Sequence, residues 1–177
     1  MALPYRHIFL LLVTFTFVLS CFPQSKSDII KGIKVEFKKI NADKSLRKVT
    51  LENEEFLEHM TDGGGELTGY FMKGQIQKVS QWVSFSHGNE TTEFYFKNGQ
   101  LIFVYEKFDS FIFNPQKELL DRTKTETTFE GRYYFNNNKL LDYGTTGHNR
   151  FEDDTIDPEK TLMKEAGEKV KQLTKIK

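Results

Sequence analysis

One seven-residue phrase occurs three times in this chain and limits its folding more than any other feature. Tyr70 to Ile76 reads YFMKGQI, Tyr95 to Leu101 reads YFKNGQL, and Tyr134 to Leu140 reads YFNNNKL. Two aromatic residues, a turn pair of Gly or Asn type, and then a polar and an aliphatic residue describe one strand ending, a reversal, and the next strand beginning. Tight hairpins need positive φ at their central residues, and Gly and Asn tolerate it best. From Glu66 to Tyr143 the sequence therefore predicts strands joined at Lys73-Gly74, His87-Gly88-Asn89, Asn98-Gly99 and Asn136-Asn137-Asn138. The expected fold is α+β and mostly β: a single antiparallel meander sheet of about six to eight strands with a C-terminal helix.

The flanks add to this. Gly32 to Ile40, GIKVEFKKI, alternates apolar and charged residues at Ile33, Val35 and Phe37, which predicts a half-buried strand. Leu46 to Leu51 predicts another strand, and Asn53 to Met60 a short helical turn before the glycine run Gly63-Gly64-Gly65. Near the C-terminus, Asp157 is a helix cap with Pro158 in the first position, and Leu162, Ala166, Val170 and Leu173 follow at helical spacing. The helix is expected over 158–176, against the sheet or along one edge. Gly167 inside it costs about 1 kcal/mol relative to Ala, a cost that is tolerable if the helix packs closely there.

The first 21 residues are expected to be a signal peptide. Arg6 and His7 precede an uncharged stretch, Ile8 to Leu19, whose twelve residues fall short of the ~20 needed to span a bilayer. Val18-Leu19-Ser20-Cys21 resembles the lipobox of bacterial lipoproteins, although Leu is usual at the Val18 position and a smaller residue at Leu19. That resemblance implies lipidation of Cys21 as the first mature residue. The alternative is ordinary signal cleavage between Ser20 and Ser25, which would release the chain. Cys21 is the only cysteine, so the mature fold has no internal disulfide in either case. Residues 22–31 are expected to form a flexible leader and 32–177 a single domain. The expected location is periplasmic or outer-membrane-anchored, or secreted if Cys21 carries no lipid.

Of the 25 basic residues, Arg6 leaves with the signal, so 24 remain against 25 acidic ones. This near-neutral balance provides no basic face for phosphates, which argues against a nucleic-acid partner.

Strand alternation divides the side chains between two faces. Leu67, Gly69, Phe71, Val79, Val83, Phe85, Phe94, Phe96, Leu101, Phe103, Tyr105, Phe129, Tyr133 and Phe135 are expected on the core face. The opposite face is expected to carry Tyr70, Trp82, Glu93, Tyr95, Glu106, Glu130, Arg132 and Tyr134. Aromatics beside carboxylates and an arginine suit stacking on sugar rings with hydrogen bonds to hydroxyls, and they equally suit cross-strand pairs on a solvated sheet. A single bulge would reverse the assignment beyond it. Ile102 and Val104 fall on this second face too, so part of it is expected to be covered, with the C-terminal helix as the candidate cover. Glu93, Glu106 and Glu130 are the residues a glycosidase-type acid pair would draw on.

Asp109 to Glu126 is expected to be a long irregular loop, with Phe111, Ile112, Phe113 and Pro115 forming an apolar tip for a protein partner or closing one end of the core. His59, His87 and His148 lack metal-ligand spacing, and Glu152 to Glu159 lacks the pattern of a calcium loop. No metal or cofactor is implied. Asn89-Glu90-Thr91 fits an N-glycosylation sequon. Asp154-Thr155-Ile156 is similar to the O-glycosylation motif of Bacteroidota.

The repeated phrase resembles the Tyr and Asn-Gly hairpins of MORN-type and related antitoxin-like meanders, over seven residues in each of three places. TTFEGRYYFNNNKLLDY, Thr127 to Tyr143, is similar to segments of exported β-meander proteins of Bacteroidota. These resemblances imply a fold and an exported location but bring no catalytic residue with them. The functional expectation is a non-catalytic, lipid-anchored binding or interaction module of the cell envelope, possible types being inhibitor and immunity protein, with a protein or a glycan as partner. The alternatives are a small carbohydrate-active hydrolase or lyase using the sheet glutamates, and a structural envelope component.

Overall fold

The computed structural model describes residues 24–148, 150–153 and 155–175. Cys21, the signal segment and Asp154 of the Asp154-Thr155-Ile156 motif lie outside the described residues. In chain order the elements are α1 (Lys26–Ala42), β1 (Arg47–Glu52), a 3-10 turn (Asn53–Glu55), β2 (Gly65–Met72), β3 (Gln75–Ser84), β4 (Gly88–Lys97), β5 (Gln100–Asn114), β6 (Leu119–Asn136), β7 (Lys139–Thr146) and α2 (Pro158–Thr174). The seven strands form one antiparallel sheet whose spatial order follows the chain, β1 to β7, as expected of a meander.

The repeated phrase builds the same hairpin three times. Its central residues have positive φ in every copy: 48° and 81° at Lys73 and Gly74, 52° and 76° at Asn98 and Gly99, 51° and 60° at Asn137 and Asn138. These are two-residue loops of the kind whose twist matches that of the flanking strands. Each copy also carries the same register shift. Tyr70 pairs with Lys78 but Phe71 with Ile76; Tyr95 pairs with Phe103 but Phe96 with Leu101; Tyr134 pairs with Asp142 but Phe135 with Leu140. One residue of each returning strand is left over, Gln77, Ile102 or Leu141, which is a β-bulge.

The bulge at Ile102 corrects the expected faces. Leu101 stays with Phe96 in the core, but Phe103 and Tyr105 cross to the side of Tyr95, and Val104 and Glu106 take the core side in their place. Glu106 is therefore not on the face with Glu93 and Glu130.

The segment expected to be a leader followed by a strand is helix from Lys26 to Ala42. Ser25 caps it, accepting from the Asp28 amide while its hydroxyl donates to the Asp28 carboxylate at 2.6 Å. Ile29, Ile33, Phe37 and Ile40 recur at helical spacing and pack on Tyr95 and Phe103, whereas Val35 is 66 % exposed. Ile33, Val35 and Phe37 fit a period of two only because helical spacing happens to place two of them on one stripe.

Helix α2 lies across the other face, with Leu162, Ala166 and Leu173 buried and Met163 and Val170 packed beside them. A Cβ at Gly69 would come within 2.9 Å of Leu173 Cδ1, so the glycine in β2 lets the helix sit close. Gly167 has open space where a Cβ would lie, so close packing does not offset its cost there. The sheet is thus covered on both faces, by α2 on one and α1 on the other. The helix over Ile102 and Phe103 is α1 and not the C-terminal one.

The expected loop from Asp109 to Glu126 is the far end of the β5–β6 hairpin. Phe111 is buried and its amide donates to the His87 carbonyl, while Ile112, Phe113, Pro115 and Leu119 are exposed around the turn. Among the described residues no helix is long and apolar enough to cross a membrane.

Candidate functional site

Opposed residues of antiparallel strands project to the same side, so the register defines rows across the face under α1. The first row runs Tyr70, Lys78, Tyr95, Phe103, Tyr134; the second Thr68, Ser80, Glu93, Tyr105, Arg132; the third Glu66, Trp82, Thr91, Lys107, Glu130. Tyr70, Trp82, Glu93, Tyr95, Glu130, Arg132 and Tyr134 thus share one face.

The first row is largely roofed. The Phe37 ring of α1 lies 4.9 Å from that of Tyr95 and 5.4 Å from that of Phe103, and Phe103 is 5.0 Å from Tyr134. Tyr95 is fully buried. Its hydroxyl donates to Glu93 Oε2 at 2.5 Å and accepts from Asn41 Nδ2 at 3.1 Å. Lys78 Nζ closes the network, 2.6 Å from Glu93 Oε1 and donating to Asn41 Oδ1 at 3.0 Å. Burial, and then the Glu93 charge, push the Tyr95 phenol far above its ordinary range. Tyr95 therefore clamps the end of α1 to β3 and β4 and is out of reach of a ligand.

Where the roof ends, a groove of about 390 Å³ opens between Ile33, Lys34, Phe37 and Lys38 of α1 and Glu93, Phe103, Tyr105, Arg132 and Tyr134 of the sheet. This volume is within the range of small-molecule sites. Its wall is held by a fixed triad: Tyr105 donates to Glu130 Oε1 at 2.6 Å, Arg132 Nη2 donates to Glu130 Oε2 at 3.0 Å, and the guanidinium stacks 5.3 Å above the Tyr105 ring. Burial, followed by the bond to Glu130, pushes the Tyr105 phenol up to about 12. The Tyr105 and Arg132 hydrogen bonds hold the Glu130 carboxyl below its usual range.

The groove is richer in positive charge than in free negative charge. Glu93 is paired with Lys78, and Glu36 with Lys39 and Lys97. Lys34, whose Nζ lies 5.9 Å from the Tyr134 ring centre, and Lys38 have no ion-pair partner among the described residues. Aromatic rings, a positioned guanidinium and two lysines can stack on a ring and hold an anionic or hydroxylated group. They do not form an acid pair, because Glu93 and Glu130 are both neutralised by salt bridges and Glu106 is on the other side of the sheet. Among the described residues no three His, Cys, Asp or Glu converge as metal ligands.

The remaining sequence candidates are scattered. Trp82 is 40 % exposed in the third row, and Tyr70 lies between Lys48 and Lys78, 5.3 and 5.6 Å from their ammonium groups. Glu106 is buried beneath Arg150. Phe111 is buried, with the Arg122 guanidinium 5.2 Å over its ring, so only Ile112, Phe113 and Pro115 of the expected partner loop remain at the surface. Sequence reasoning missed Lys34, Phe37 and Lys38, because α1 was read as leader and strand, and Phe103 and Tyr105, because of the bulge. Ser25 followed by Asp28 in the third helical position was the available signal for α1. No family model, no curated protein and no solved structure matches this chain.

Proposed function

We propose that this chain is a non-catalytic binding module of the cell envelope, exported and anchored through Cys21, whose ligand is a glycan carrying an acidic group. The groove carries this reading: ring faces at Tyr105 and Tyr134 stand beside Arg132, Lys34 and Lys38, while the neighbouring carboxylates are already paired. A pyranose would lie against the aromatic faces and its acid group would meet the lysines. The fixed Tyr105-Glu130-Arg132 triad means little side-chain freedom is lost on binding. The proposal keeps the glycan reading of the sequence and moves its centre from Trp82 and Tyr95 to Tyr105, Arg132 and Tyr134.

Equilibrium binding to an oligogalacturonate and to a neutral cello-oligosaccharide of equal length tests it. The acidic sugar should bind more tightly, and Tyr105→Ala should weaken it by about tenfold. Equal or absent binding of both sugars would overturn the proposal. For the anchor, cells fed a clickable fatty acid should label the wild-type chain but not Cys21→Ala.

A second reading rests on Ile112, Phe113 and Leu119, exposed together at the tip of the β5–β6 hairpin. They suit an inhibitor or immunity type of contact with a protein, which cross-linking from a photoreactive residue at 113 in cells would capture.

A further inference from the structure

The opposite face holds a second cavity, also of about 390 Å³, that the groove reading does not use. Glu90 and Glu106 stand in it as diagonal neighbours on β4 and β5, since Glu90 is opposite Phe108 and Thr92 is opposite Glu106. Phe108 and Phe129, themselves a cross-strand pair, form an aromatic wall.

The charges there do not balance. Arg150 donates through Nη2 to Glu106 Oε1 at 2.7 Å and grips both oxygens of Glu165 on α2, so its single charge answers two carboxylates. Lys107 is taken by Asp109 at 2.6 Å, and His148 by Glu152 at 3.1 Å. The Glu90 carboxylate has neither an ion pair nor a side-chain hydrogen bond among the described residues, and Arg150 and Lys169 act on it only at longer range. Glu106 is 95 % buried, being 5 % exposed, and its Oε2 has no hydrogen-bond partner; the Tyr133 hydroxyl faces it without reaching bonding geometry. Gln81 Oε1, on the wall of the adjoining hollow that Glu90 also lines, is a further unmatched acceptor. Acceptors are in excess, a carboxylate lacks its counter-ion, and aromatic faces flank the gap.

We propose that this cavity is a second binding site, for a small organic amine whose ammonium group pairs with Glu90 and whose apolar body lies against Phe108 and Phe129. An anion is disfavoured because Arg150 is already matched twice. A bare metal ion is disfavoured because no third ligand converges among the described residues. Burial holds both carboxyls above their ordinary range, and a bound cation would relieve that. The ring faces favour an ammonium over a neutral group of the same shape.

Titration of the mature protein with benzylamine and with benzyl alcohol, followed by NMR, separates charge from shape. Benzylamine should bind saturably at millimolar concentration, shifting the amides of Glu90, Phe108 and Phe129, with benzyl alcohol about tenfold weaker or silent. Glu90→Gln should abolish the benzylamine response while keeping the circular dichroism of the wild type. Silence of benzylamine at these residues, or equal binding of the alcohol, overturns the proposal. So does an unchanged response in Glu90→Gln. The contrast between the two probes is read on the unaltered chain, so it stands even if the variant folds poorly. Because this cavity and the groove lie on opposite faces, failure of one reading leaves the other intact.

Discussion

At neutral pH the Glu90 carboxylate is opposed by its own burial and by Glu165, and eased only partly by Arg150 and Lys169. Its folded-state pKa is raised above the ordinary 4.5, so the native chain holds this proton to higher pH than the unfolded chain does. The group's contribution to stability is therefore favourable in acid and is lost as pH rises from 4.5 through the folded value. Glu90→Gln should melt at higher temperature than wild type at pH 7, and the difference should vanish below pH 4.5. Arg150→Ala should destabilise by about 2 kcal/mol, since it leaves Glu106 buried without its cation, a cost reduced by the 41 % exposure of the Arg150 side chain. Urea titration with Glu106→Gln as the second leg of a double-mutant cycle should recover part of that loss. Gly167→Ala should stabilise by about 1 kcal/mol, because the position is helical and open.

Among the elements, the hairpins were the most legible from sequence because their chemistry is local. A turn with two positive φ angles nearly dictates its residues, so Asn98-Gly99 and Asn137-Asn138 announce themselves. The bulge beside each turn was not legible, since one additional residue such as Ile102 has no composition of its own. That residue alone moved Phe103 and Tyr105 into the groove and Glu106 out of it. Helix α1 was missed for another reason: Ile33 and Phe37 satisfy both periods, and only Ile29 and Ile40 favour the helical one. The β5–β6 extension was concealed by Pro115 and by dense charge, although Phe111 to Phe113 and Thr123 to Thr128 are good strand formers. The turn argument also has a quantitative consequence at Lys73, which takes φ of 48° without the tolerance of Asn. Lys73→Asn should raise stability by up to about 1 kcal/mol in chemical denaturation.

At the scale of the molecule, a seven-stranded sheet separates α1 and its groove from α2 and the Glu90 cavity, which differ in chemistry. Composition alone could not show this, because near-neutral net charge conceals a groove short of anions on one face and a cavity short of cations on the other. The sequence identified most members of the groove face, but it could not indicate that Tyr95 is sealed under α1 while Tyr105 stays accessible. The central claim is that the α1 groove is the ligand site. Its most direct test is an amide NMR titration of the mature chain with an oligogalacturonate. The account predicts shifts clustered at Lys34, Phe37, Tyr105, Arg132 and Tyr134, with Phe113 at the hairpin tip and Glu90 on the far face unmoved. Absence of shifts at millimolar sugar, or shifts confined to the hairpin tip, would contradict it.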